Sequence, residues 1–254
     1  MPQYTDQLLT YIDILGFRKL VEESVADPAK MERIIEILFQ METQTSLGTP
    51  HGPVFANTQN FSDLIIRAIP LAQDSGLPER ISIECMILAG IQSKLLLDNA
   101  VLIRGGVCLD KFYMEQGFAF GPALVRSHHL AEDVAIYPRI IIDSKLVATD
   151  DPENIIPHFI ERADDGAYFI DYLLIGFFYQ INLFPKYENP EAVVKKHKER
   201  VEEKLDELKD DERVRQKAIW LALYHNKAVQ RIMAPGNYKR KEALQPLLIG
   251  EPIE

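Results

Sequence analysis

The sequence predicts an α+β fold: a mixed sheet with helices on one face, followed by a helical C-terminal extension. Strand-like and helix-like segments alternate through residue 147 with hairpins in place of half the crossovers, and the texture then turns charged and helical. An apolar share of 47% over 254 residues supplies a substantial core and excludes general disorder.

"LLTYIDIL" reads as a short central strand, and "FRKLVEESV" and "PAKMERIIEILFQMETQ" carry apolar residues at helical spacing. The turn-rich "SLGTPHGP" separates them from "VFANTQNF" and "DLIIRAIP", two strands of a hairpin with "NFSD" near its tip. "PERISIECMILAGIQSKLLLDN" is a long helix whose nearly continuous apolar face packs on the sheet. "AVLIRGGVCL" and "GFAFGPAL" give two more strands, "PALVRSHHLAEDVA" a helix and "PRIIID" another strand. This order is that of a ferredoxin-like sheet over residues 1–147, with the extension, 148–254, packed on it. There an apolar helical block at 155–184 precedes a charged stretch with a thin stripe of Val193, Val194, Val201, Leu205 and Leu208. That stretch is one long surface helix or two broken near Asp210 and Asp211. Trp220, Tyr224 and His225 read as a helix-packing face.

A net charge of -10 gives no general attraction to nucleic acid or anionic lipid, which leaves a local basic pocket or, as the expected route, metal ions to hold a polyanionic ligand. Cys85 and Cys108 sit inside apolar segments and read as buried thiols. The opening residues lack a signal peptide, and "YFIDYLLIGFFYQINLF" is too short and polar to span a bilayer. The expectation is a soluble cytoplasmic protein with no nucleic-acid or membrane partner.

Two acids interrupt this pattern. Asp13 ends the first strand and Asp63 lies at the hairpin tip. Carboxylates at neighbouring strand ends can bridge a pair of hard divalent ions, Mg²⁺ or Mn²⁺, because these ions take oxygen ligands from one or two acids and from substrate phosphates. Backbone N–H groups over Ile14, Leu15, Gly16 and Phe17, where a helix begins, could cradle a triphosphate. An acid near a strand end also serves as a helix cap or a solvated turn residue.

These segments resemble the class III nucleotidyl cyclases. "IDILGF" is similar to that family's first metal-binding motif, and "FSDL" to its Gly-Asp hairpin, with Ser62 in place of the usual Gly. "IRGGVCLD" resembles the following Arg-x-Gly-Ile strand, and "GPALVRSHHLAE" the Gly-x-x-Val-Asn helix that donates catalytic residues across a dimer. The four motifs occur in the family's order within residues 7–143. The resemblance implies a class III cyclase-like catalytic domain in a homodimer, with Asp13 and Asp63 holding two ions and active sites at the interface. It departs from the family at Val125, where a catalytic Asn normally sits, and at His129, where the transition-state Arg normally sits. Arg126 and Arg139 are candidate substitutes; Arg139 equally suits a structural ion pair, and His128 and His129 a polar helix face.

The family's base-selecting positions correspond to Gln59 and Phe118, and neither standard purine pair is present. An amide beside an aromatic wall suits a pyrimidine, UTP before CTP. The whole chain resembles the divergent bacterial branch that contains the Pycsar antiphage cyclases, which implies cyclic UMP or cyclic CMP acting on a separate effector. Two rivals stand beside this reading: a catalytically inactive nucleotide-binding regulator on the same fold, and an interaction protein working through its charged tail.

Overall fold

Leu8, Thr10 and Ile12 alternate with Leu9, Tyr11 and Asp13, so strand β1 (Thr5–Ile14) presents a different set of side chains to each face of the sheet. The computed structural model describes residues 3–45, 56–71, 76–147, 158–178, 187–209, 211–234 and 238–250. After β1 come α1 (Phe17–Ser24), α2 (Pro28–Thr45), the hairpin β2 (Asn57–Phe61) and β3 (Leu64–Pro70), and the long α3 (Leu77–Asn99). Then follow β4 (Ile103–Glu115), β5 (Phe118–Phe120), α4 (Pro122–His129), β6 (Ile140–Ile142) and α5 (Ser144–Val147). The rest comprises β7 (Ile160–Arg162), β8 (Tyr168–Ile170), α6 (Tyr172–Phe178), α7 (Pro190–Glu207), α8 (Glu212–Met233) and α9 (Tyr238–Leu244).

The sheet runs β2-β3-β1-β4-β6-β8-β7, with β5 paired to β4 alone. Its first four strands are antiparallel neighbours in the ferredoxin-like order, and β6 joins β4 in parallel. The fold is therefore the expected α+β mixed sheet, with two differences. Helices cover both faces: Thr10 meets Glu84 of α3 on one, while on the other Tyr11 packs edge-on against His128 of α4. The block at 155–184 is not all helical, because β7 and β8 form a hairpin there that extends the sheet beyond residue 147. Strands this short carry too little alternation to register as a period. The charged stretch does break into two helices, and Asp211 caps the second by accepting from the Val214 N–H at 3.3 Å. The turn-rich 46–53 and the end of the apolar segment, 179–184, lie outside the described residues. No helix among the described residues is long and apolar enough to cross a membrane. Both cysteines are buried free thiols, and burial pushes Cys108 up to about 12.

The last helices are tied down by aromatic and polar contacts. Trp220 stacks on Tyr137 and Tyr224, and the Tyr224 hydroxyl donates to Asp171 at 2.8 Å. A buried chain of bonds then runs from the Tyr172 hydroxyl to His197 Nε2 (2.7 Å), from His197 Nδ1 to His225 Nδ1 (2.9 Å), and from His225 Nε2 to the Leu247 carbonyl (2.9 Å). The directions are fixed at its end: a carbonyl only accepts, so His225 Nε2 carries a proton and its Nδ1 accepts from His197. Both rings are neutral, and every ring nitrogen is satisfied.

Two outcomes follow. At Gly106 an added Cβ would lie 2.5 Å from Leu130 Cβ and strike the Ser127 carbonyl, because α4 crosses β4 there. Gly106→Ala will destabilise the protein by about 1–3 kcal/mol in urea titration; an unchanged midpoint contradicts this packing. Burial lowers His197 well below its ordinary value and His225 from 6.5 to about 4. Depressed histidines contribute stability that is present above pH 6.5 and declines as pH falls toward 4. Denaturant titrations between those limits will show a stability loss that is smaller in His225→Gln; equal slopes contradict the neutral pair.

Candidate active site

Asp13 stands opposite Arg104 in the β1–β4 register, both on the sheet face toward α4. Arg104 Nε donates to Asp13 Oδ2 at 2.9 Å, its Nη2 pairs with the Glu132 carboxylate, and its Nη1 reaches the Glu132 carbonyl at 3.5 Å. Glu132 belongs to a wide π-helical turn, Leu130–Val134, that continues α4. Asp13 is thus not a helix cap: α1 is entered through Gly16, at φ 81°, with no side-chain cap.

Asp63 lies in the two-residue turn between β2 and β3. Because Ile12 pairs with Ile65, this turn sits beside the end of β1. Ser62 takes φ 56° there, a left-handed conformation that glycine adopts without the roughly 1–2 kcal/mol cost to other residues. That is the physical reason for a glycine in such a hairpin. The acids sense one another: burial first, and then the charges of Asp63 and Glu132, raise Asp13 above the usual carboxylate range, while Arg104 opposes the shift. Tyr11, two residues back on the same face, is pushed up to about 12 by burial and then by Asp13.

The remaining candidates separate into three groups. Gln59 and Phe118 come together, since Gln59 Nε2 donates to the Gly117 carbonyl at 3.0 Å and Phe118 follows, 67% exposed. The Gln59 Oε1 atom is buried with no hydrogen-bond partner. At the start of α1, Gly16 and Phe17 lie in the first turn, whose N–H groups have no intrahelical acceptor. Leu15 is a correction, because its N–H is spent on the Leu102 carbonyl at 2.9 Å; Ile14 is a paired β1 residue.

The arginines differ sharply. Arg126 Nε donates to Asp143 Oδ2 at 2.7 Å and stays open to solvent. Burial opposes ionisation of Asp143, yet Arg126 and the Lys145 N–H hold it below the usual range. Arg139 is 1% exposed, paired with Asp165, bonded to the Val134 carbonyl at 3.1 Å and packed among Tyr137, Phe169 and Trp220. So enclosed, it does not reach a facing chain, and its expected catalytic role is corrected to a structural one. Val125 is 72% exposed, and His129 Nδ1 lies 2.7 Å from Asp133 one turn on.

Among the described residues no group of three or more His, Cys, Asp or Glu side chains is gathered to hold a metal ion. The donor chemistry of Asp13 and Asp63 nonetheless fits Mg²⁺ or Mn²⁺, which take one or two carboxylates from a protein and complete their shell with water and phosphates. Arg104 competes for one oxygen of that set. Sequence reasoning passed over Arg104, Glu132 and Tyr11; Arg104 stood in the quoted "IRGGVCLD", and only the strand register shows that it faces Asp13.

No family model and no curated protein matches the chain. Among solved structures it is similar to a class III adenylyl cyclase-like ATP-binding protein from Pseudomonas aeruginosa, with 13% identity and a TM-score of 0.44. The match covers 82% of this chain and 44% of that one, less than half of its length.

The Gln59 contact with Gly117 will be visible in hydrogen exchange. Gln59→Ala removes a bond worth about 1 kcal/mol, so amides at 116–120 will exchange roughly fivefold faster; unchanged exchange contradicts the tether.

Proposed function

We propose that this chain is a nucleotidyl cyclase that converts a pyrimidine nucleoside triphosphate, UTP before CTP, to its 3′,5′-cyclic monophosphate and pyrophosphate. The observation that carries the reading is the convergence of Asp13 and Asp63 at adjacent strand ends, on a face where Asp13 is neither a helix cap nor a solvated turn residue. Mg²⁺ or Mn²⁺ held there would lower the pKa of the ribose 3′-hydroxyl and neutralise the phosphates.

The chain's own groups do the rest. Asp13 and Asp63 would hold the ions that bind the triphosphate at the end of β1, and the first-turn N–H groups at Gly16 and Phe17 face its negative charge. The 3′-oxygen bonds to the α-phosphorus as the α–β phosphoanhydride bond breaks and pyrophosphate leaves; the hydroxyl proton passes to solvent. In a homodimer, Arg126 of the facing chain supplies positive charge to the phosphates, and its pairing with Asp143 keeps the guanidinium in place. Phe118 offers a stacking surface to the base, and Gln59, tethered to the adjoining Gly117 carbonyl, lines the pocket beside it. A cyclic pyrimidine nucleotide made this way would act on a separate effector, as in bacterial antiphage defence.

Val125 and the His129–Asp133 pair favour a second reading, a nucleotide-binding regulator that makes no product. Incubation of the purified protein with Mn²⁺ and each of ATP, GTP, CTP and UTP, followed by mass spectrometry, decides between them. Cyclic UMP or cyclic CMP is expected, with at least a hundredfold loss in Asp13→Ala and Asp63→Ala. Tight nucleotide binding without product supports the regulator, and turnover retained in either variant rejects the two-acid site.

A further inference from the structure

Arg104 joins two carboxylates through different nitrogens of one guanidinium, with Nε on Asp13 and Nη2 on Glu132. We propose that Arg104 and Glu132 form an internal latch that sets the divalent-cation affinity of the Asp13–Asp63 site. Arg104 occupies Asp13 when no cation is bound, and Glu132 keeps the guanidinium when a cation displaces it. The inference rests on the reading of Asp13 and Asp63 as cation ligands.

The geometry provides for both positions. Two of the three bonds that Arg104 makes around this site go to Glu132, one to its carboxylate and one to its carbonyl. Leaving Asp13 costs Arg104 a single bond, at 2.9 Å, so the half-enclosed guanidinium is never stranded without a partner. Asp13 is in the opposite situation: its side chain is only 16% exposed, and Arg104 is the cation bonded to it. It will exchange that partner only for another cation. The charges agree, since Arg104 offsets only one of the two carboxylates it bridges, and Asp63 lies in the neighbouring turn. Glu132 therefore acts as a positioning residue: it touches neither substrate nor ion and works through Arg104.

Mn²⁺ titration of the full chain without nucleotide, by calorimetry and electron paramagnetic resonance, tests the latch, with Asp13→Ala as the control for the site. Arg104→Met should bind Mn²⁺ about tenfold more tightly. Arg104→Lys retains the charge but loses the bridge between the two carboxylates, and should bind at least threefold more tightly than the unaltered protein. Tightening in Arg104→Met alone, with Arg104→Lys unchanged, reduces the effect to simple charge and overturns the latch. Mn²⁺ binding that depends on Asp13 but is unchanged from the unaltered protein in both Arg104 variants overturns the latch and leaves the cation site standing. No Mn²⁺ binding by any of these proteins overturns the cation reading and the latch with it.

Discussion

One helix carboxylate holds the strands that carry the site. Glu84 accepts from Arg67 Nε and Nη2 through separate oxygens, each at 2.9 Å, and from Thr10 at 3.0 Å. Thr10 and Arg67 face each other across β1 and β3, so α3 grips both strands at one register position. Arg67 and Glu84 are each 1% exposed, where breaking the pair would leave an unpaired buried charge at a cost of about 3–5 kcal/mol. A slip by one residue would also turn every side chain of β1 to the opposite face. Asp13 would then point into the layer of α3, away from Asp63 and Arg104.

The two faces of β1 consequently do different work. Toward α3 the strand is apolar from Leu8 to Ile14 apart from the Thr10 tie, and it supplies the rigidity. Toward α4 it carries Tyr11 and Asp13, and there the protein places charges that do not cancel. The close passage of α4 over Gly106 is what brings the wide turn, and Glu132 with it, to Arg104. Elsewhere in the interior, polar groups are paired within the fold: the two histidines with each other, Arg139 with Asp165 inside its aromatic cage, and Asp171 with Tyr224 and Arg231. At the end of β1, by contrast, one arginine is shared by two acids, Asp13 and Glu132.

The first half of the fold was legible because its segments are long enough to show a period. β1, the β2–β3 hairpin and α3 follow from alternation, turn residues and a continuous apolar face. The β7–β8 hairpin did not show, since its strands are three residues each and sit in an apolar stretch that suits a helix equally. Asp13 and Asp63 stood out as acids in apolar surroundings. Their partner Arg104 did not, because an arginine in a strand is unremarked until the register places it opposite one particular residue. Arg139 shows the reverse: "YPRIIID" gave it a position near the site, while its burial depends on Asp165, Phe169 and Trp220, which are far along the chain.

The continuation of the sheet past residue 147 bears on how this protein can be taken apart. β6 is three isoleucines, all buried, paired with β4 on one side and β8 on the other. A chain ending at 147 would keep every cyclase-like motif and lose β8, which leaves the free edge of an apolar strand open to pair with another molecule. Such a fragment would be expected to self-associate through that edge. What looks in sequence like a catalytic module followed by an appendage is, in its hydrogen bonding, one sheet whose outer strands shield it from aggregation.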